Sequence, residues 1–246
     1  MLRNNILLSG VLKAISLGTS FLIVSVTLGY LDKEPYGIWM SISSMAFWIS
    51  AFDIGLGNGM RNYLTEAISK GDMRAGRIYI SSTFLLLSAI ALLIAIVAIP
   101  LIYMMDVTSI LNTQCIDNNQ LQFVVFMALL LTAVNFVVKN IGFIYVAMQK
   151  YAVNDLLIVG GNILALLTVY ALTKTTQGNL LYVVVTFMAM PVFVYILGAV
   201  PLFIKYPELR PSLKSVNIGF CSGIIKKSLG FFIIQISSCL VIFGGS

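Results

Sequence analysis

Charged side chains stand inside stretches of this chain that are otherwise almost wholly apolar, and they are the groups with chemistry to offer. Lys13 lies within the apolar run 6–31 and Lys139 within the run 121–148. Asp53 closes the run 36–56, Arg61 follows just beyond it, and Asp155 opens the run 153–172. A lysine at the centre of a membrane helix costs about 2.5–3.5 kcal/mol on insertion scales, and helix packing alone gives no reason to accept that cost. At 1.5 Å per residue, Lys13 sits roughly 10 Å and Lys139 roughly 14 Å from the same end of their helices. Asp53 and Asp155 fall toward that end as well. Charges on four non-adjacent helices are therefore expected in one half of the membrane, as the wall of a water-filled cavity open toward the cytoplasm. Lys13 is also placed to snorkel to the headgroups, and Asp155 to stabilise the first turn of its helix.

The polar residues around these charges keep a helical period. Ser9, Lys13, Ser16, Ser20 and Thr27 share one side of a 3.6-residue helix, as do Thr132, Asn135, Lys139, Gly142 and Gln149. Ser41, Ser44 and Trp48 make a shorter stripe, and Asn154, Gly161, Asn162 and Thr168 a looser one. Stripes of small and hydroxylated residues also pack helices together in lipid.

The elements that must hold these groups follow from composition. Of 246 residues, 59% are hydrophobic and only 10% charged, with mean hydropathy +0.99; soluble domains average about 25% charged. The expectation is an all-α integral membrane protein, with spans at 6–31, 36–56, 78–103, 121–148, 153–172 and 180–203, since spans need roughly 20 apolar residues. The apolar runs are unbroken, unlike the alternation of a membrane barrel. Residues 1–228 form one six-span unit. A seventh span begins at 229 and stops at 246, which reads as the start of a longer chain.

Arg3, Arg61, Lys70, Arg74, Arg77, Lys150, Lys205, Arg210, Lys214, Lys226 and Lys227 fall on one side of this topology, and only Lys33 and Lys174 on the other. The positive-inside rule puts the N-terminus in the cytoplasm. The excess of +6 lies in short loops rather than on one face, which argues against nucleic acid. There is no histidine, so imidazole chemistry and most transition-metal sites are excluded. Cys115, Cys221 and Cys239 have neither metal spacing nor an even count. No metal or organic cofactor is expected, and no enzyme activity.

Gly55, Gly57 and Gly59 follow Asp53 at every second position. No strand precedes them, so a dinucleotide loop is dismissed. In a membrane helix such a run permits a kink, local unwinding or a close neighbour, and transporters place such breaks beside their sites. The three glycines are candidate hinge positions. Beyond them, 61–77 is expected to lie on the inner surface as an amphipathic helix broken at Gly71-Asp72.

At this stretch the chain resembles a known family. W-I-S-A-F-D-I-G-L-G-N-G-M-R-N-Y-L-T-E-A, then G-D and R-I-Y-I-S-S-T, is similar to the O-antigen and polysaccharide flippases, lipid-linked oligosaccharide exporters of a superfamily that includes the MATE transporters. The specific likeness covers 36–83. It implies a six-helix N-terminal lobe of a MATE-like transporter plus part of a seventh helix. It further implies that a polyprenyl-diphosphate-linked oligosaccharide is moved by alternating access across a bacterial inner membrane, for O-antigen or other surface polysaccharide. Lys13, Lys139 and Arg61 would then suit the diphosphate, and Trp39, Trp48 and Tyr145 would stack on sugars. Asp53 and Asp155 would bind a coupling H+ or Na+ or balance charge. A polysaccharide polymerase and a chain-length regulator are partners by the same likeness, besides membrane lipids. The alternatives are a MATE-like, cation-coupled exporter of drugs or small molecules, or a half-transporter without activity of its own.

Overall fold

An apolar segment in lipid must satisfy every backbone N–H and C=O within itself, and the helix is the local way to do so. A computed structural model describes residues 2–51 and 55–225, with side chains placed from Leu8 to Ile49 and from Gly55 to Ile225. Nine helices, with no strand among the described residues, build an all-α integral membrane protein: α1 (Leu2–Leu31), α2 (Lys33–Ala51), α3 (Leu56–Ser69), α4 (Met73–Met104), α5 (Val107–Ile110), α6 (Asn118–Val138), α7 (Asn140–Ala147), α8 (Tyr151–Thr175) and α9 (Leu180–Lys205). Two 3-10 turns, Pro207–Leu209 and Leu213–Ser215, and a helical stretch over 218–225 follow.

Among the described residues five stretches are long and apolar enough to cross a membrane: Leu8–Leu31, Met73–Met104, Asn118–Ala147, Tyr151–Thr175 and Leu180–Lys205. They coincide with five of the six expected spans. The remaining span corresponds to α2, whose expected continuation through 52–54 lies outside the described residues, as do Asp53 and the seventh span at 229–246. The fourth span differs in one respect. It is two helices, α6 and α7, joined at Lys139.

The connections between the spans collect at two ends. At one end the Tyr30 hydroxyl meets Thr176 Oγ1 at 2.7 Å and donates to the Gln177 carbonyl at 2.9 Å. There too Thr113 donates to the Glu34 carboxylate at 2.7 Å. At the other end Thr65 of α3 reaches the Ala147 carbonyl, and Lys150 lies 5.0 Å over the Tyr206 ring. This second end carries Arg61, Lys70, Arg74, Arg77, Lys150, Lys205 and Arg210.

Packing follows small residues, which bring helix backbones close where lipid supplies no hydrophobic drive between helices. A side chain at Gly161 would sit 3.0 Å from the Pro191 backbone, and one at Gly198 would overlap Leu157. These contacts fasten α8 to α9, while α1 packs on α8 and α2, and α6 on α9, α4 and α2. On α1 the buried face holds Leu12, Thr19, Thr27 and Tyr30, with Ser9 and Ser16 half-buried beside them.

The loop between α4 and α5 offers a test of its own. Ser109 Oγ (2.6 Å) and Thr108 Oγ1 (2.5 Å) donate to the Asp106 carboxylate, which also takes the Ser109 N–H as the cap of α5. The Ser109 hydroxyl first, then that of Thr108, hold its pKa at about 2, below the ordinary 3.8. A depressed carboxylate contributes its stabilisation fully above the unfolded value and loses it as pH falls through the folded one. The cap is therefore expected to persist through pH 4 and to release only near pH 2. Carbon-13 titration of the Asp106 carboxyl should give that midpoint, and Ser109→Ala should move it back toward 3.8.

Candidate functional site

Thr132 and Asn135 of the stripe read on the fourth span open onto a cleft of about 400 Å³ between α2, α6, α8 and α9. Trp39, Ser43, Ala46 and Phe47 line it from α2, Thr132 and Asn135 from α6, Asn162 from α8, and Phe187 and Met188 from α9. Trp39 is buried and stacks on Phe187, ring centroids 5.2 Å apart and planes 25° from parallel. Thr132 donates to the Met188 sulfur at 3.6 Å, and Ser43 donates to the Trp39 carbonyl at 2.8 Å. Asn135 Oδ1 is buried without a protein hydrogen-bond partner among the described residues. Pro191, inside α9, has no N–H to give the Phe187 carbonyl one turn earlier, so that acceptor is freed beside the cleft. No charged residue lines it among the described residues. Behind α2 a second, smaller cleft of about 180 Å³ is hydrocarbon almost throughout, lined by Ile42, Met45, Ile49, Ala98, Ile102, Val125 and neighbours.

The sequence candidates divide between those the cleft gathers and those it does not. Trp39 lines it. Trp48 does not: nine residues on, it lies half a helical turn round α2 and is 40% exposed. Ser41 and Ser44 are exposed with it, so the short stripe read on the second span lies away from the buried face of α2. Tyr145 is buried in the α3–α4–α7 core and donates to the Gly198 carbonyl at 2.7 Å.

Lys139 stands four residues below Asn135, at the α6–α7 junction, with its ammonium 5.3 Å over the Phe136 ring. Lys13 is exposed, on the flank of the buried face of α1. Asp155 is half-buried in the second turn of α8, and Arg61 half-buried on α3 with its guanidinium on Asn62 Oδ1 at 3.3 Å. Neither Lys13 nor Asp155 has an ion-pair partner among the described residues; the single bridge there is Lys70–Glu66.

The glycine run begins a helix. Gly55 is left-handed, φ 69°, and its carbonyl accepts the Gly59 N–H at 2.8 Å in the first turn of α3. At Gly57 a Cβ would overlap the Phe143 ring and lie 2.7 Å from Asn140 Oδ1. Close approach of α3 to α7 is thus what Gly57 permits, and Gly59, also buried, lies on the other side of the helix. The amphipathic helix starts earlier than expected, at Leu56, and ends at Ser69; the break at Gly71-Asp72 is present, with Asp72 capping α4 through Ala75 N–H.

Two features were not read from the sequence. Asn140 is fully buried and donates to the carbonyls of Phe136 and Val137 beside the break at Lys139; an asparagine next to the one charged residue of the fourth span was the signal to follow. Ser81 and Ser82, buried on α4, accept the backbone N–H groups of Ser212 and Asn217 and so dock the segment after α9. No spacing in the chain announces that contact.

One stretch of 58 residues is 33% identical to a protein described as a "Putative O-antigen transporter" of Salmonella typhimurium. The match covers 24% of this chain and 14% of the length of that relative. No protein-family model matches the chain, and no solved structure matches it significantly.

Proposed function

We propose that the chain takes part in moving a polyprenyl-diphosphate-linked oligosaccharide across a bacterial inner membrane, for O-antigen or another surface polysaccharide, by alternating access. The observation that carries this reading is the polar, aromatic-lined cleft at mid-span, with Lys139 four residues beyond its Asn135 along the same span. The partial likeness to a described O-antigen transporter supports the same cargo class. A hydrophilic head needs a wet recess, its phosphates need cations, and its polyprenyl tail can stay in the bilayer. Lys139 serves the diphosphate in this scheme, with Lys13 and Arg61 as further cations. Asp53 and Asp155 are available for a coupling H+ or Na+ or for charge balance. The strongly basic end faces the cytoplasm by the positive-inside rule, and the donor leaflet is the inner one.

An exporter of cationic drugs would want carboxylates in the cleft, and among the described residues none lines it. The test is made in a strain whose surface polysaccharide depends on the protein. Lys139→Ala is expected to abolish the polysaccharide while membrane levels stay normal, and Lys139→Arg to retain most of it. Polysaccharide unchanged by Lys139→Ala, or altered drug susceptibility with normal polysaccharide, would refute the proposal.

A further inference from the structure

We infer that the cleft between α2, α6, α8 and α9 is a subsite for uncharged sugar rings, distinct from the diphosphate position; the inference rests on the transport reading above. The groups around the cleft argue for this ligand class. Helical N–H groups in its walls are used in the helices themselves, and among the described residues no lysine or arginine lines it. An anion entering would lose its hydration against no positive charge.

A sugar ring fits the same groups well. It carries hydroxyls that both donate and accept around its edge, and C–H groups on its faces. Asn135 and Asn162 each offer an amide with two donors and an acceptor, and Asn135 Oδ1, enclosed in the cleft wall, has no hydrogen-bond partner among the described residues. Ser43 and Thr132 have spent their hydroxyl protons on the Trp39 carbonyl and the Met188 sulfur, so their oxygens are left as acceptors. The Phe187 carbonyl freed by Pro191 adds one more acceptor. Trp39 and Phe187 form a rigid aromatic wall for C–H faces. The volume, about 400 Å³, falls in the ~300–1,000 Å³ range of small-molecule sites.

Position gives the order of the headgroup. Lys139 follows Asn135 by four residues on nearly the same face, about 6 Å along the axis. The diphosphate at Lys139 and the first sugars at the amides would then lie in sequence, the sugars deeper in the membrane. A lipid chain is a poor occupant here, because the hydrocarbon cleft behind α2 serves it without burying amides.

The chain has two tryptophans, Trp39 and Trp48, so Trp48→Phe leaves Trp39 as the sole reporter at the cleft. In that variant, purified in detergent, neutral oligosaccharides of glucose, galactose or mannose are expected to quench Trp39 saturably. Inorganic pyrophosphate should neither quench nor compete. Asn135→Leu and Asn162→Leu should each weaken the sugar effect about tenfold, the loss of a good hydrogen bond to a polar ligand. Equilibrium dialysis of the unmodified chain with labelled oligosaccharide repeats the comparison without touching Trp48. No saturable binding of any neutral sugar, displacement of sugar by pyrophosphate, or indifference to both asparagine changes would overturn the subsite. Sugar binding with polysaccharide indifferent to Lys139→Ala would leave the subsite standing and remove the transport reading; the opposite pair would do the reverse.

Discussion

Asn135→Leu is expected to cut surface polysaccharide at least tenfold while leaving the protein as stable as the parent. The two halves of that expectation have different causes. Asn135 Oδ1 is buried with no protein partner, so the folded state already bears the cost of desolvating it, about 1–3 kcal/mol. Leucine keeps the branched shape, places its bulkier methyl groups toward the open cleft, and removes that cost. The thermal midpoint in detergent should therefore stay level or rise. Transport should fall, because the leucine withdraws a hydrogen-bonding amide from the cleft and presents hydrocarbon to a hydroxylated ligand. Measuring both on the same preparation is decisive: a lowered midpoint with lost export would make Asn135 a structural residue, and retained export would make the cleft irrelevant to transport.

The second large effect concerns the fold. Gly178→Ala is expected to destabilise the protein by about 2–3 kcal/mol, the range for forcing extra volume into a packed site. Its Cβ would overlap the carbonyl oxygen of Tyr30, a backbone atom that cannot rotate away. Moving that backbone would also strain the Tyr30 hydroxyl from Thr176 and Gln177, which ties the α1–α2 turn to the α8–α9 loop. Gly10→Ala and Gly18→Ala are the controls. Nothing lies within 4 Å of a Cβ at either, and alanine in a helix interior is favoured over glycine by about 1 kcal/mol. Those two should raise the midpoint or leave it alone, and Gly178→Ala should lower it by several degrees in the same assay. Equal effects at all three positions would show that the α1–α2 turn and the α8–α9 loop are not in contact.

Most of the architecture was legible because lipid imposes one answer on an apolar run of twenty residues, and composition alone was enough to call for helices. The 3.6-residue period likewise placed Thr132, Asn135 and Lys139 on one side of the fourth span before any neighbour was known. Period states which residues of one helix share a face; it does not state what that face meets. Trp39 and Trp48 were equal candidates until packing turned Trp39 toward α9 and Trp48 to the opposite side of α2. Tyr145 looked like a ring for sugars, and α9 supplied the Gly198 carbonyl that holds it in the core. The glycine run left a kink, local unwinding or a close neighbour open, and the fold puts a left-handed Gly55 at the start of α3 with the Phe143 ring close against Gly57. Whether Gly178 tolerates a methyl group, and which serine receives the chain after α9, depend on residues more than a hundred positions away. The sequence by itself determined the helices and their polar faces, since both arise from short-range geometry and the solvent. Only the tertiary structure decided which faces meet, because helix packing turns on the close fit of small residues from distant parts of the chain.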